Sequence, residues 1–205
     1  MGDKIGWAAS AVIILVACGN PKPAARVDPT ITPVYPPQPL DKVFVLESWG
    51  ATPEDTVVRF AAGQPRTVIV RRGAPDNSLF ARLTFPPGTI VPASGDSVVL
   101  RLIMRPGLFG MDLITDAEVR PGAEITFSYA IHFVSPLAAR EVYGTDIRFE
   151  RFLGVGRLPG PADSTLVFLD SWRSASDLLT APITGPGRFL VAAPRTRPGF
   201  RTITF

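Results

Sequence analysis

Proline limits this chain more than any other residue does. The 205 residues include 22 prolines, scattered along the whole length, with 18 glycines among them. Proline lacks a backbone donor and collides with the turn before it, so it interrupts a helix wherever it falls inside one. What survives between the breaks is a series of short apolar runs. Short apolar runs separated by Pro and Gly point to a β-rich fold. Hydrophobic residues make up 46% of the chain, the composition of a folding sequence rather than a disordered one.

The runs read as strands over Val43–Ser48, Thr56–Ala61, Arg66–Arg71, Ser78–Phe85, Ser97–Met104, Glu124–Phe133, Ile147–Val155, Thr165–Leu169, Arg188–Ala192 and Arg201–Phe205. Several alternate with period two. Leu79, Ala81, Leu83 and Phe85 share one face of their strand, and Ile125, Phe127, Tyr129, Ile131 and Phe133 share one face of theirs. One dry face and one wet face are the pattern of an antiparallel sheet. One short helix is expected near residues 136–143, with Ser135 as N-cap, Pro136 at the first helical position and Gly144 ending it. The expectation is therefore an all-β, antiparallel β-sandwich.

The first residues read differently. Asp3 and Lys4 precede an apolar block, Ile5 to Ala17, of 13 residues. Crossing the hydrocarbon core takes about 20, so the block has the length of a signal-peptide apolar region. It ends in Leu15-Val16-Ala17-Cys18, which resembles the bacterial lipobox. The resemblance implies that Leu15, Val16 and Ala17 are recognised by a signal peptidase, that residues 1–17 are removed, and that Cys18 carries a diacylglycerol. It further implies a lipid-anchored envelope protein. Gly19, standing where aspartate would mark inner-membrane retention in enteric bacteria, favours the outer membrane. Cys18 is the only cysteine, so lipidation leaves no thiol for a disulfide. Residues 18–40 then form a tether. Seven of the 22 residues from Gly19 to Leu40 are proline, and at about 3.1 Å per residue this segment could hold a body roughly 65 Å from the bilayer. It is expected to stay out of the domain, which spans 41–205.

The search for chemistry finds little. A hydrolase triad would have to use His132, the single histidine, on the polar face of its strand and without a Gly-x-Ser-x-Gly elbow nearby. Zinc and haem lack ligands, and no cofactor is expected. The acidic pairs Glu54-Asp55, Asp76-Asn77 and Asp112 with Asp116 do not follow a calcium loop. Arginines supply most of a net charge of +3 and lie singly along the strands, so no nucleic-acid stripe forms. "VFVLESWG" (43–50) and "LVFLDSWR" (166–173) echo each other, but their flanks do not align. Each ends near a tryptophan. Trp49 and Trp172 either cap the core or, exposed, stack on sugars or dock a partner. The alternating "GFRTITF" end resembles the last strand of outer-membrane barrels, but most strands fall short of the roughly 9–11 residues a barrel requires.

Three stretches carry a further resemblance. These are Phe85-Pro86-Pro87-Gly88-Thr89, a Pro-x-Gly turn after a strand; Ala123 to Tyr129, a central strand after a small residue; and Gly187 to Ala192, a late strand opening with glycine. Their order resembles that of ZU5 domains, which are immunoglobulin-like β-sandwich interaction modules. Some ZU5 domains cut themselves at His-Phe-Ser. Here His132-Phe133-Val134-Ser135 is one residue longer and lies in a middle strand, so no self-cleavage is expected. The reading is a non-catalytic envelope interaction domain that binds an envelope protein, with a carbohydrate- or peptidoglycan-binding module as the alternative and a hydrolase as the remote one.

Overall fold

The structure is a computed structural model that describes residues 30–31, 35–129 and 133–197. The expectations for Leu15, Val16, Ala17 and Cys18, for His132, and for a strand over Arg201–Phe205 concern residues outside these. No helix among the described residues is long and apolar enough to cross a membrane.

The described chain is an all-β, sandwich-like fold of antiparallel sheets. A six-stranded sheet runs in the order β1 (Thr30–Ile31), β16 (Trp172–Ala175), β17 (Leu178–Pro182), β12 (Glu124–Ser128), β7 (Leu79–Phe85) and β6 (Arg66–Arg71). An eight-stranded sheet runs β2 (Gln38–Pro39), β15 (Thr165–Phe168), β14 (Gly154–Leu158), β18 (Gly187–Pro194), β10 (Gly110–Ile114), β9 (Ser97–Met104) and β5 (Thr56–Ala61), with β3 (Val43–Val45) also on β18. Two small ribbons, β8 (Ile90–Val91) with β11 (Glu118–Val119) and β4 (Glu47–Ser48) with β13 (Phe133–Val134), complete the set.

Alternation decides which side chains meet. Val68, Leu83, Ile125 and Ala181 stand opposite one another across β6, β7, β12 and β17, and all are buried. In the other layer Leu102 stands opposite Leu113 and Met111 opposite Phe189, and all four are buried. The layers meet where Phe80 stacks on Phe109 at 5.6 Å and Phe60 lies 6.2 Å from Phe85. Each such side chain contributes about 1.5–3 kcal/mol on burial. Strict alternation breaks once on β7, where Phe80 and Ala81 are both buried. The register explains it: Val70 pairs with Ala81 but Arg71 pairs with Leu79, so Phe80 is the extra residue of a bulge.

Two helices, not one, stand against the sandwich: α1 (Leu137–Tyr143) and α2 (Asp146–Glu150). The first matches the expected span, but its N-cap is Pro136 in extended geometry rather than Ser135. Gly144 ends it at φ +83°, a conformation that costs glycine little. The second corrects the expected strand over Ile147–Val155, of which only Gly154 and Val155 are strand. Thr145 accepts a hydrogen bond from the Arg148 amide at 3.2 Å, capping the turn. Phe149, Phe152 and Leu153 then bury with helical spacing while Ile147 stays 66% exposed. Tyr143, Phe149 and Phe152 pack together, Phe44 joins from β3, and the Tyr143 hydroxyl donates to the Pro194 carbonyl at 2.7 Å.

The proline-rich segment does not stay out of the domain. Thr30 and Ile31 pair with Arg173 and Trp172. Tyr35 is 6% exposed, lies edge-on to Phe168 at 4.9 Å, and donates its hydroxyl to the Phe152 carbonyl at 2.9 Å. Gln38 and Pro39 pair with β15, and the Leu40 amide donates to the Ser164 carbonyl at 2.7 Å. The packed chain thus begins upstream of residue 41. A proline-rich backbone is already extended, so a sheet edge accepts it at little entropic cost wherever its remaining amides find acceptors.

Candidate functional site

The site is built around an arginine. Along β6, Val68 and Val70 face inward, and the next inward position after the strand is Arg72. Its side chain is one of the few charged groups in the core, with the residue only 3% exposed. The guanidinium lies 5.2 Å from the centroids of both Phe80 and Phe109, a placement in which ring quadrupoles attract a cation. Burial pulls its pKa down from the usual arginine value, and the Asp76 carboxylate 3.9 Å away opposes this.

The arginine spends its donors on one loop. One terminal nitrogen donates to the Trp49 carbonyl at 3.0 Å and to the Ala51 carbonyl at 3.5 Å, and the other donates to Ser48 Oγ at 2.8 Å. The Ser48 amide donates to the Gly107 carbonyl at 2.9 Å. Gly73 fits against Ala51 and Thr52, where an added Cβ would meet both at 3.4 Å. Residues 48–52 are thus held by a buried charge, a backbone bond and close packing.

From this fixed loop Trp49 projects with 72% of its surface exposed. An indole left in water forgoes about 1.5–3 kcal/mol of burial. A rigid backbone under an exposed indole is the arrangement of a binding hot spot, because little entropy remains to be lost on docking.

Trp172 is elsewhere. It sits half-buried on the outer face of the six-stranded sheet, in the cross-strand row Trp172, Thr180, Thr126, Arg82 and Ile69. Thr126 and Thr180 share a hydroxyl hydrogen bond of 3.0 Å, and Ser174 Oγ lies 3.1 Å from Thr180 Oγ1. Strands β16 and β6 are four places apart in the sheet, about 19 Å at 4.8 Å per strand. Arg72, which holds Trp49, directly follows β6, so the two tryptophans do not form one platform.

The acidic candidates are occupied by structure. Asp55 accepts the Met104 amide at 2.8 Å, and Asp76 accepts the Ser78 amide at 3.3 Å in a turn. Asp112 is bound by two arginines. Among the described residues no three His, Cys, Asp or Glu side chains come together as metal ligands. The three stretches that carry the ZU5 resemblance fall on the turn after β7, on β12 with its flanks, and on β18. No family model matches the chain, and neither a curated protein nor a solved structure matches it.

Sequence reading had singled out Trp49 but missed Arg72, which fixes it. A signal was available: Arg72 continues the inward phase of Val68 and Val70, and a charge at an inward position has to be paired.

Proposed function

We propose that this chain is a lipid-anchored envelope protein, attached through Cys18, whose β-sandwich is a non-catalytic interaction domain that docks an envelope partner at Trp49. The observation that carries the docking half is the 72% exposure of Trp49 on a loop clamped by buried Arg72. The anchoring half is supported by Leu15-Val16-Ala17-Cys18 and the apolar block before it.

The alternative is stacking of the same indole on a sugar ring of an envelope polysaccharide or peptidoglycan. An exposed indole suits that too, but sugar platforms gain from paired aromatics, and Trp172 lies on a strand four places from β6, the strand that Arg72 follows.

The test uses the full chain expressed in a bacterium. A photo-crosslinking amino acid at position 49 is expected to give discrete protein adducts that the same residue at exposed Ile69 does not. Equal adducts at both positions, or none at position 49, overturn the docking reading. Adducts to peptidoglycan fragments alone select the sugar reading. In parallel, alkyne fatty-acid labelling is expected in the parent chain and lost with Cys18→Ser. Labelling unchanged in that variant overturns the anchor.

A further inference from the structure

Away from Trp49, the ends of β10 and β14 and the start of β18 enclose a cleft of about 310 Å³, lined mainly by Asp112, Ile114, Pro159, Pro161, Pro186 and Arg188. That is the lower end of the range, about 300–1,000 Å³, of clefts that hold small ligands. Its floor is set by register. Asp112 stands opposite Arg188, and Arg188 opposite Leu158, so these three share the outer face of the eight-stranded sheet. Ile114, two residues beyond Asp112, lies on that face too and is 50% exposed. Its walls are loops, held close because Gly187, at φ +140°, packs directly on the Leu158 carbonyl where a side chain would not fit.

The charges in the floor do not balance. Arg105 Nε and Arg188 Nε both donate to Asp112 Oδ1, at 3.0 and 2.9 Å, and a terminal nitrogen of Arg105 takes Oδ2. Two guanidinium groups share one carboxylate, leaving one positive charge. Arg188 spends only its Nε. Its two terminal nitrogens bond to nothing among the described residues, and its side chain is 27% exposed. The walls offer three proline rings and Ile114, which are apolar and, for proline, conformationally fixed.

We infer that this cleft is a binding site for a small amphiphilic monoanion, its apolar body between the prolines and Ile114 and its carboxylate on the terminal nitrogens of Arg188. The anion neutralises the surplus charge and satisfies donors already partly withdrawn from water. A cleft of this volume suits a single short alkyl or aryl carboxylate.

The experiment is photoaffinity labelling of the full chain in isolated membranes, with a medium-chain alkyl diazirine carboxylic acid and with the alcohol of the same chain. Adducts are mapped by peptide mass spectrometry. The acid is expected to label residues 112–115, 159–161 and 186–188 about tenfold or more above the alcohol, and excess octanoate is expected to suppress it. Arg188→Gln should reduce acid labelling to the alcohol's level. Ile114→Glu, a change at a half-exposed side chain, should do the same by repelling the carboxylate, without risk to the core. Ile69→Glu on the other sheet should change nothing. Equal labelling by acid and alcohol, or unaltered acid labelling in both Arg188→Gln and Ile114→Glu, overturns the proposal.

Discussion

Two arginines show how a charge inside a β-sandwich is made tolerable, and each gives a prediction at the scale of a single residue. Arg72 is tolerated because its donors reach the Ser48 hydroxyl and the Trp49 and Ala51 carbonyls and its guanidinium lies 5.2 Å from the ring centroids of Phe80 and Phe109. Arg72→Met keeps a stem of similar bulk beside the rings and deletes the donors. It is expected to lower unfolding free energy by about 2–4 kcal/mol, measured by urea titration, and to speed hydrogen exchange at residues 48–52 beyond the global loss. Arg188 with Arg105 acts on Asp112. Burial alone would raise that carboxyl, but the hydrogen bonds and charges of the two arginines outweigh it and hold its pKa below the ordinary 3.8. A carboxyl depressed by folding stabilises fully above the unfolded value and loses this as pH falls through the folded value. Stability should therefore drop below about pH 4, with a shallower drop in Asp112→Asn; an identical acid limb in both proteins would refute the assignment. The same logic separates what was legible from what was not. Trp49 could be named from its type and its place at the end of a run, whereas the buried donor beneath it required knowing which way the strand faced.

At the scale of elements, alternation was sufficient where a strand has one wet face. β5, β6 and β9 occupy the spans read from the sequence; burial alternates along all of β5 and β9 and along β6 from Thr67 on. It was insufficient where both faces are covered or where the cap decides. β10 went unrecognised because it starts with glycine and holds Asp112 mid-strand, both disfavoured in strands in isolation. The glycine has a reason visible only in register. Leu190 of β18 stands between Gly110 on β10 and Gly156 on β14. An added Cβ at Gly110 would collide with Leu190, and one at Gly156 with the wholly buried Leu166. These glycines make room for leucines lying flat across the sheet, so Gly156→Ala is expected to destabilise by about 1–3 kcal/mol. Differential scanning calorimetry would show it as a lower Tm, and Gly156→Ala combined with Leu166→Ala should recover part of the overpacking cost. Segment 146–153 was misread for the opposite reason: aromatic and β-branched residues suggested a strand, but Thr145 at the cap and the helical spacing of its buried residues prevailed.

For the molecule as a whole, the tyrosines tie three parts of the chain to the segment around α2. The chain has three tyrosines, and each carries a hydroxyl bond across elements: Tyr35 to the Phe152 carbonyl, Tyr129 to Glu150, and Tyr143 to the Pro194 carbonyl. Burial pushes all three phenols up, Tyr143 to about 12. A phenol raised by folding stabilises fully below its unfolded value near 10.0 and loses that contribution as pH climbs through the folded one. Ultraviolet titration of the native protein should thus show almost no phenolate at pH 10, followed by cooperative release of all three with unfolding; half-ionisation at pH 10 would contradict the packing. Tyr35 belongs to the stretch that sequence reading assigned to a spacer, since proline content announces extended backbone but not whether a sheet edge waits beside it. That attachment has a mechanical side. A pull on the chain ahead of Thr30 first loads the two-residue strands β1 and β2 and, between them, the buried Tyr35 with its bond to the Phe152 carbonyl. The stretch from Thr30 through Pro39 has a contour length of roughly 35 Å at about 3.3–3.6 Å per residue. The domain can give way within that length under tension while β3, the next strand along the chain, stays paired with β18.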